Sequence, residues 1–274
     1  MIQINKDTRI CISVAARPSN FGTTVHNVAY RALGLNFCYK AFQVSDIAGV
    51  ITGVRALGIR GCSITMPFKE VVVQYLDSLD DTARAIGAVN TIVNNEGCLI
   101  GYNTDVNGAK VVLRTLEIRK DDQVLLIGAG GVAGAIKYAL QQLGITNVLV
   151  SNRNGQKAEK LVKGTEFRTI PWSVRNEARV DVLINATSIG MKPGIDEMPV
   201  SESLLRGCRA VMDVIVTPME SRLIREAERL EKKVVRGYEM SLHQAASQFR
   251  LYTGARAPLD VMRAGIEALL KSTE

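Results

Sequence analysis

The residues with the clearest chemical potential form a glycine-rich segment near the middle of the chain. An unbroken apolar run, residues 124–127, leads into Gly128, Gly130 and Gly131. Such a run predicts a buried strand, and the small residues after it predict a tight turn and a helix start. The spacing G-x-G-x-x-A lets a pyrophosphate approach the backbone and the first N–H groups of the helix. The segment predicts a dinucleotide site or, alternatively, a turn that only packs; its residues are Gly128, Ala129, Gly130, Gly131, Val132 and Ala133.

Polar and basic residues follow the next predicted strand. Asn152, Arg153 and Lys157 stand where an NAD-selective site usually has an acidic residue for the ribose hydroxyls. Arginine and lysine can pair with a 2′-phosphate instead, and an asparagine can hydrogen-bond to it. The sequence therefore predicts NADP (NADPH) as the cofactor. The alternative is a solvated basic turn.

Composition restricts the class of protein. The 274 residues are 47% hydrophobic, which is enough for one large or two modest cores. The net charge of +7 is concentrated in residues 106–237, which suits an anionic cofactor. Basic blocks with interleaved aromatic residues are missing, so nucleic acid is not an expected partner. We expect a small-molecule substrate and a monomer or homodimer.

Other classes are also disfavoured. The sequence has no apolar run long enough for a membrane span and no apolar signal segment, so no membrane association is expected. Five scattered cysteines fit reduced thiols in a cytoplasmic protein. With only two histidines, His26 and His243, no metal site is expected, and both are interpreted as structural.

Strands and helices alternate along almost the whole chain. Before residue 106 the pattern predicts a polar loop up to Thr24 and then a helix over 25–33. A second helix is predicted to be capped by Ser45 and to end near residue 57. Pro67 is predicted to lie in the first turn of a further helix. The predicted strands there are 9–14, 37–44 and 61–65, followed by a hairpin at 89–93 and 98–101 and a helix from Asn103. Later strands are predicted near 123–128, 146–151, 181–186, 210–215 and 233–236, with helices at 221–231, 239–252 and 258–271.

These elements predict an α/β protein of two domains. Residues 1–105 form an α/β substrate-binding and catalytic domain that helices in 238–274 complete. Residues 106–237 form an inserted Rossmann-type NADP-binding domain around the glycine-rich turn.

Several strings together resemble the shikimate dehydrogenase family in order and spacing. They extend along almost the whole chain: Ser63-Ile64-Thr65-Met66-Pro67-Phe68-Lys69, Gly87-Ala88-Val89-Asn90-Thr91, Asn103-Thr104-Asp105, Gly128-Ala129-Gly130-Gly131, Asn152-Arg153, Asn185-Ala186-Thr187-Ser188 and Gln244-Ala245. The resemblance implies an NADP-linked oxidoreductase acting on a CH–OH group, in the reversible reduction of 3-dehydroshikimate to shikimate in aromatic amino acid biosynthesis.

The resemblance also implies roles for single residues. Lys69 and Asp105 match the family's catalytic lysine and aspartate, which supply a proton to the alkoxide that hydride transfer creates. Thr65, Asn90 and Gln244 are expected to hold the substrate hydroxyls. The nicotinamide side is expected to be lined by Thr187, Ser188, Val214 and Gly237. Without the resemblance, Lys69 could be a solvated lysine, Asp105 a helix cap, and Thr65 and Asn90 polar residues at strand ends.

The sequence departs from the family where the substrate carboxylate is held. Alignment on His26-Asn27 places Asn20 and Gly22 where most members have two serines, and Val216 where a tyrosine is usual. Tyr102 also stands where an aspartate is common. The first loop resembles a divergent branch called shikimate dehydrogenase-like.

At these positions the chain lacks hydroxyl groups that would hydrogen-bond to the substrate carboxylate, which predicts weak binding of shikimate. Restoring serines at positions 20 and 22 is therefore expected to lower the KM for shikimate. The physiological substrate is then a relative of shikimate with a different group at that end. Two alternatives are a quinate-type dehydrogenase, which Arg153 disfavours, and an NADP-binding sensor without catalysis, which the Lys69–Asp105 pair disfavours.

Overall fold

The computed structural model describes residues 4–272, which form two compact units. One unit comprises the residues up to Asn107 together with those from Leu242, and the other is Gly108–Ser241. Each unit is built on one six-stranded sheet. The predicted α/β class is confirmed.

The first unit follows the order of its elements in the sequence. They are β1 Arg9–Ala15, α1 Phe21–Ala32, β2 Phe37–Gln43, α2 Ile47–Ala56, β3 Gly61–Ile64, a 3-10 helix Val71–Tyr75, β4 Ser78–Leu79, α3 Asp81–Ile86, β5 Thr91–Asn95, β6 Cys98–Tyr102 and the start of α4 Thr104–Thr115. The sheet order is β2-β1-β3-β5-β6-β4. Strands β2, β1 and β3 are parallel, so their carboxyl ends share one edge, and β5 is antiparallel to β3 and β6.

Alternation along the central strands separates an apolar face from a polar one. Ile12, Val14 and Ile64 are almost fully buried in one core cluster with residues of α2. Ser13 and Ser63 are paired in the β1–β3 register and therefore share the opposite face of the sheet. Toward the carboxyl ends of these strands, that face is lined by hydroxyl groups instead of a continuous apolar core.

The second unit is a parallel sheet with intervening helices. Its elements are β7 Val124–Ile127, α5 Gly131–Gln142, β8 Val148–Ser151, α6 Gly155–Val162, β9 Arg168–Thr169, a 3-10 helix Trp172–Glu177, β10 Val182–Asn185, α7 Glu202–Gly207, β11 Ala210–Asp213, α8 Arg222–Arg229 and β12 Lys233–Val235. The order β12-β11-β10-β7-β8-β9, parallel throughout, is the Rossmann order, with its topological switch point between β7 and β10. Helices α9 Gly237–Thr253 and α10 Leu259–Lys271 end the described chain.

Several predicted element ends differ from the structure. Helix α1 begins at Phe21, so the predicted polar loop is shorter and Gly22 is helical. Asp46, not Ser45, caps α2, because its carboxylate accepts a hydrogen bond from the N–H of Gly49 at 3.0 Å. Pro67 lies in a turn before the 3-10 helix and not in a helix's first turn. The two-residue strands β4 and β9 were not predicted, since they are too short to show a period.

The predicted hairpin is confirmed, with a tighter turn. Asn95 pairs with Cys98 across β5 and β6, which leaves only Glu96 and Gly97 as the connection. Both have positive φ, 52° and 92°, as a type I′ hairpin turn requires. All five cysteines are free thiols, as the sequence predicts.

Candidate active site

A lysine and an aspartate that are far apart in the sequence form an ion pair in the first unit. Lys69 Nζ lies 2.6 Å from Asp105 Oδ2, and the two side chains are only 20% and 14% exposed. The lysine stands in the turn after β3, where its carbonyl accepts a hydrogen bond from Val89 N–H at 2.8 Å. The aspartate lies in the first turn of α4. The pair brings a proton donor and its counter-charge to one place.

Asn90 fixes the aspartate from the other side. Its Nδ2 donates to Asp105 Oδ1 at 2.8 Å, so each carboxylate oxygen has one donor. Its Oδ1 accepts from the N–H of Thr104 at 2.8 Å and from Thr91 Oγ1 at 2.7 Å. Asn90 is 2% exposed. The side chain that was predicted to hold a substrate hydroxyl is therefore engaged within the protein, in orienting Asp105 and capping α4.

A cavity of about 140 Å³ opens on the hydroxyl-lined face of the first sheet. Three of the predicted substrate residues, Gly22, Thr65 and Gln244, line it. Asn20 and Asn90 are outside its lining; Asn20 is the N-cap residue of α1, with no side-chain capping bond among the described residues. Gln244 Nε2 donates to Thr104 Oγ1 at 3.1 Å, which links the wall of the cavity to the residue before Asp105.

The same cavity contains polar residues that sequence reasoning missed. Ser13, Tyr39 and Ser63 line it together with Gln248. Gln248 Nε2 donates to Ser63 Oγ at 3.0 Å and to Thr91 Oγ1 at 2.9 Å. One available signal was the spacing of Gln244 and Gln248, which puts both on one face of α9. Tyr39 gave no such signal, because only the β1–β2 register shows which way it faces.

His26 forms a wall of this cavity and is completely buried. Its ring stacks on Tyr39 at 4.4 Å between centroids, and its Nε2 lies 3.4 Å from Gln248 Oε1. Burial lowers the pKa of His26 to about 4, so the ring is neutral at neutral pH. This environment supports the structural role that was predicted for it.

The glycine-rich turn of the second unit has the geometry that its spacing predicts. Gly128 has φ +115°, and a Cβ there would lie 2.7 Å from the carbonyl oxygen of Ala186. Gly130 is the N-cap residue of α5, and a Cβ on it would project into open space. Because the N-cap residue is glycine, it has no side chain that could bond the first N–H groups of α5. Its N–H groups are therefore available to an anion such as a phosphate.

A cavity of about 200 Å³ adjoins this turn. Seven predicted cofactor residues line it, and they are Gly128, Ala129, Gly130, Asn152, Arg153, Thr187 and Ser188. The other predicted cofactor residues lie outside its lining, namely Gly131, Val132, Ala133, Lys157, Val214 and Gly237. Trp172, which the sequence analysis did not select, forms another part of the wall, and Arg175 stacks on its ring at 3.7 Å.

The residues present in this cavity fit a nucleotide with a 2′-phosphate. Its described lining contains an arginine and an asparagine but no acidic side chain. Asn152 Nδ2 donates to the carbonyl of Asn154 at 2.9 Å, which holds the turn that presents the exposed Arg153. Asn154 in turn caps α6 by accepting from Lys157 N–H at 3.2 Å.

Buried polar side chains hold the loops after β10 and β11. Asp213 accepts from Asn185 Nδ2 at 3.0 Å, from Ile215 N–H at 3.2 Å and from Ser221 Oγ at 2.5 Å. Asn185 Oδ1 accepts from Thr187 N–H at 3.1 Å. The predicted cofactor residues Thr187 and Val214 therefore lie in segments whose backbone is fixed.

No helix in residues 4–272 is long and apolar enough to cross a membrane. The same residues contain no group of three or more His, Cys, Asp or Glu side chains placed to hold a metal ion.

Family models match most of the chain. Residues 20–92 match a shikimate dehydrogenase substrate binding domain, residues 110–232 match the shikimate / quinate 5-dehydrogenase model, and residues 237–264 match a shikimate 5'-dehydrogenase C-terminal domain.

Individual relatives and structures agree with these matches. A shikimate dehydrogenase-like protein of Haemophilus influenzae is 41% identical over 98% of this chain and 99% of its own. A shikimate dehydrogenase (NADP(+)) of Pyrococcus abyssi is 43% identical over 87% of this chain and 89% of its own. A crystal structure of a shikimate dehydrogenase in complex with NADP+ superimposes with a TM-score of 0.90 at 36% identity, covering 98% of each chain.

The burial of Asp213 predicts a pH-dependent stability. Burial raises the pKa of this carboxyl to about 6 despite its hydrogen bonds, so the native state holds the proton more tightly than the unfolded chain. Stability from this group is complete below its unfolded pKa near 4 and is lost as the pH rises through 6. Relative to Asp213→Asn, the wild-type free energy of unfolding should fall by on the order of 3 kcal/mol between pH 4 and 7.

Urea unfolding at a series of pH values measures this difference. The exposed Asp121→Asn is the matched control and should follow the wild-type curve. Parallel pH curves for wild type and Asp213→Asn would contradict the assignment.

Proposed function

Because the chain belongs to the shikimate dehydrogenase family, we propose that it is an NADP-dependent dehydrogenase that interconverts 3-dehydroshikimate and shikimate or a close cyclic hydroxy acid. The observation that carries this proposal is the half-buried Lys69–Asp105 ion pair, linked through Asn90 and Thr104 to the wall of the hydroxyl-lined cavity.

Residues of the chain itself would transfer the proton that the substrate's carbonyl oxygen needs. When NADPH is bound, the substrate's carbonyl carbon would receive a hydride from it, and the carbonyl oxygen would then need a proton. The Lys69–Asp105 pair supplies that proton in reduction and accepts it in oxidation. Asn90 keeps one oxygen of Asp105 occupied, so the carboxylate holds a fixed orientation toward Lys69. Thr65 and Gln244 line the cavity and would bond the substrate's hydroxyls from its wall.

The two parts of the chain would have separate functions. Residues 1–105 with 238–274 bind the substrate, and residues 106–237 bind NADP. Gly128, Gly130 and the start of α5 would hold the pyrophosphate, and Arg153 with Asn152 would hold the 2′-phosphate. Ala129, Thr187 and Ser188 line the same cavity. The other predicted cofactor residues are proposed to contact NADP from outside that lining, and they are Gly131, Val132, Ala133, Lys157, Val214 and Gly237. The partner is a small molecule, and the chain acts as a monomer or homodimer.

Turnover of a substrate panel tests the proposal. With NADP+ as oxidant, shikimate should be oxidised with a high KM, because Gly22 and Val216 offer no donor where the family has hydroxyls. Quinate and related cyclic hydroxy acids complete the panel, since the matching family model includes quinate dehydrogenases. If quinate is turned over faster than shikimate, quinate would be assigned as the substrate. If the protein binds NADP but turns over no member of the panel, the alternative of an NADP-binding sensor without catalysis is favoured. A micromolar KM for shikimate would contradict the expected weak binding of the substrate carboxylate.

Cofactor preference provides an independent prediction. Arg153 lines the nucleotide cavity, and a charge-assisted contact to the 2′-phosphate is worth about 2 kcal/mol. Arg153→Ala should therefore lose roughly 30-fold of the preference for NADP+ over NAD+. Dissociation constants for both nucleotides, measured by fluorescence titration, give this ratio. Lys160→Ala, an exposed change on α6, is the control. Equal binding of the two nucleotides by the wild type would contradict the assignment of NADP as the preferred cofactor.

A further inference from the structure

A larger cavity in the first unit lies outside the proposed active site. Its volume is about 650 Å³, which falls in the range of roughly 300–1,000 Å³ that small-molecule sites usually have. Three arginines line it, Arg9, Arg55 and Arg60, and Glu96 is the acidic residue of its described lining. None of these four residues has a part in the proposed function.

This arginine-lined cavity is at the opposite edge of the first sheet from the hydroxyl-lined cavity. Arg9 begins β1, and Arg60 directly precedes β3 and donates its backbone N–H to the carbonyl of Ile10 at 2.8 Å. The hydroxyl-lined cavity includes Ala15, the last residue of β1. Because a strand rises about 3.3 Å per residue, the two ends of β1 lie about 20 Å apart. A ligand of the arginine-lined cavity is therefore not a substrate in its reacting position.

Arg60 is held in a fixed position by neutral groups. Its guanidinium donates to four oxygens at 2.6–3.2 Å, and they are the backbone carbonyls of Asn94, Leu251 and Tyr252 and the side-chain oxygen of Asn95. No carboxylate of residues 4–272 pairs with it. Two of the carbonyls belong to the last turn of α9, which contributes only about half of one negative charge. Part of the arginine's charge therefore remains uncompensated.

The other two arginines are exposed and have unused N–H donors. The guanidinium carbon of Arg9 lies 5.9 Å from the centre of the Phe37 ring, and its N–H groups have no acceptor within residues 4–272. Arg55 donates through Nη1 alone, to Asp77 at 2.8 Å and to the carbonyl of Gly97. Its Nε and Nη2 donate to no other described residue. Both side chains can therefore bond a further acceptor.

Positive charge is in excess around this cavity. The three arginines face Glu96, which forms no ion pair within the described part of the chain. Asp77 pairs with Arg55 from outside the lining, and the two side chains are 40% and 42% exposed. An exposed pair of this kind is weak, so Arg55 can exchange it for a ligand. The cavity therefore attracts an anion.

A phosphate group matches this arrangement better than a carboxylate does. A phosphate monoester carries between one and two negative charges at neutral pH and has three strong acceptor oxygens. A guanidinium can bond two such oxygens with parallel N–H groups. Arginines from three segments supply more donors than the two oxygens of one carboxylate can use. The volume of the cavity leaves room for an organic group attached to the phosphate.

We propose that the arginine-lined cavity is a second ligand site, which binds the phosphate group of a small phosphorylated organic molecule. Arg60 is its fixed member, and Arg9 and Arg55 close on the phosphate with their unused N–H groups. The site goes beyond the proposed function, because none of its residues is assigned to the hydroxy acid or to NADP.

Two pairs of variants test the site by calorimetric titration of glycerol 2-phosphate into the full chain without NADP. Arg9→Ala should bind the ester about tenfold more weakly, because one charge-assisted contact is lost. Arg31→Ala, which removes another exposed arginine of the first unit, is its control and should bind as the wild type does. Ala56 is an exposed residue of the lining, so Ala56→Glu introduces a carboxylate there and should weaken binding about tenfold or more. Ala56→Gln, of the same size and without charge, should stay within about twofold of the wild type.

Two further titrations into the wild type define the ligand class. Inorganic phosphate should bind more weakly than glycerol 2-phosphate, since it lacks the organic group. Malonate, a dicarboxylate, should also bind more weakly than the ester. Equal or tighter binding of malonate would overturn the assignment of a phosphate group, and binding of inorganic phosphate alone would overturn that of a phosphorylated organic molecule.

Other results would overturn the site itself. A wild type that does not bind the ester is one of them, and unchanged binding by folded Arg9→Ala and Ala56→Glu is another. The nucleotide cavity also contains an arginine, so binding that Arg153→Ala weakens and Arg9→Ala does not would belong to that cavity and not to this one. If thermal unfolding shows that Arg9→Ala is not folded, the Ala56 pair carries the test. Turnover of the hydroxy acids is not involved in any of these titrations, so the proposed function is tested separately.

Discussion

The side-chain amide of Asn90 is the interaction on which the catalytic half of this molecule depends. One buried residue donates to Asp105 and accepts from both Thr104 and Thr91, all at 2.7–2.8 Å. Its backbone joins neighbouring segments as well, because its N–H donates to Tyr102 and its carbonyl accepts from Ile64 N–H. An asparagine side chain is suited to this position because it carries donors and an acceptor without a charge. Loss of the amide would leave several buried groups unpaired, each at a cost of about 1–3 kcal/mol.

The second unit uses a similar arrangement at the carboxyl end of its central strands. Asn185 ends β10 and joins Thr187, Ile189 and Asp213, and Ser221 completes the group on the far side of Asp213. Asn90 directly precedes β5 and Asn185 is the last residue of β10. Both asparagines are fully or nearly fully buried, and each fixes a polar segment that follows a strand. Rigid loops at strand ends are the positions from which parallel sheets bind ligands. The same solution therefore positions the proposed catalytic residues and the proposed cofactor residues.

The structural features that the sequence predicted correctly are those that depend on the local spacing of residues. The turn at Gly128 was predictable because its positive φ and the small residues after it are required by one strand–turn–helix unit. The α/β class followed from the alternation of strands and helices along the chain, and the family strings pointed to the Lys69–Asp105 pair. Helix α1 begins at Phe21, earlier than predicted, with no side-chain cap from Asn20. Helix α2 is capped by Asp46 and not by Ser45, because the Asp46 carboxylate is the one that reaches the backbone N–H. Spacing in the sequence does not fix helix ends to the residue. Tyr39 and Trp172 were missed because strand register and the fold of a distant segment bring them to the cavities.

In the proposed mechanism, Asn90 acts through Asp105, to which its Nδ2 donates at 2.8 Å, and not on the substrate directly. A double-mutant cycle on kcat/KM for shikimate oxidation, with Asn90→Ala, Asp105→Ala and the double variant, measures this most directly. Thermal unfolding of each variant confirms that the compared proteins are folded. If Asn90 only orients Asp105, the double variant will be no slower than Asp105→Ala alone. Additive losses, with the double variant slower by the product of the two single effects, would contradict the claim and make Asn90 an independent substrate ligand.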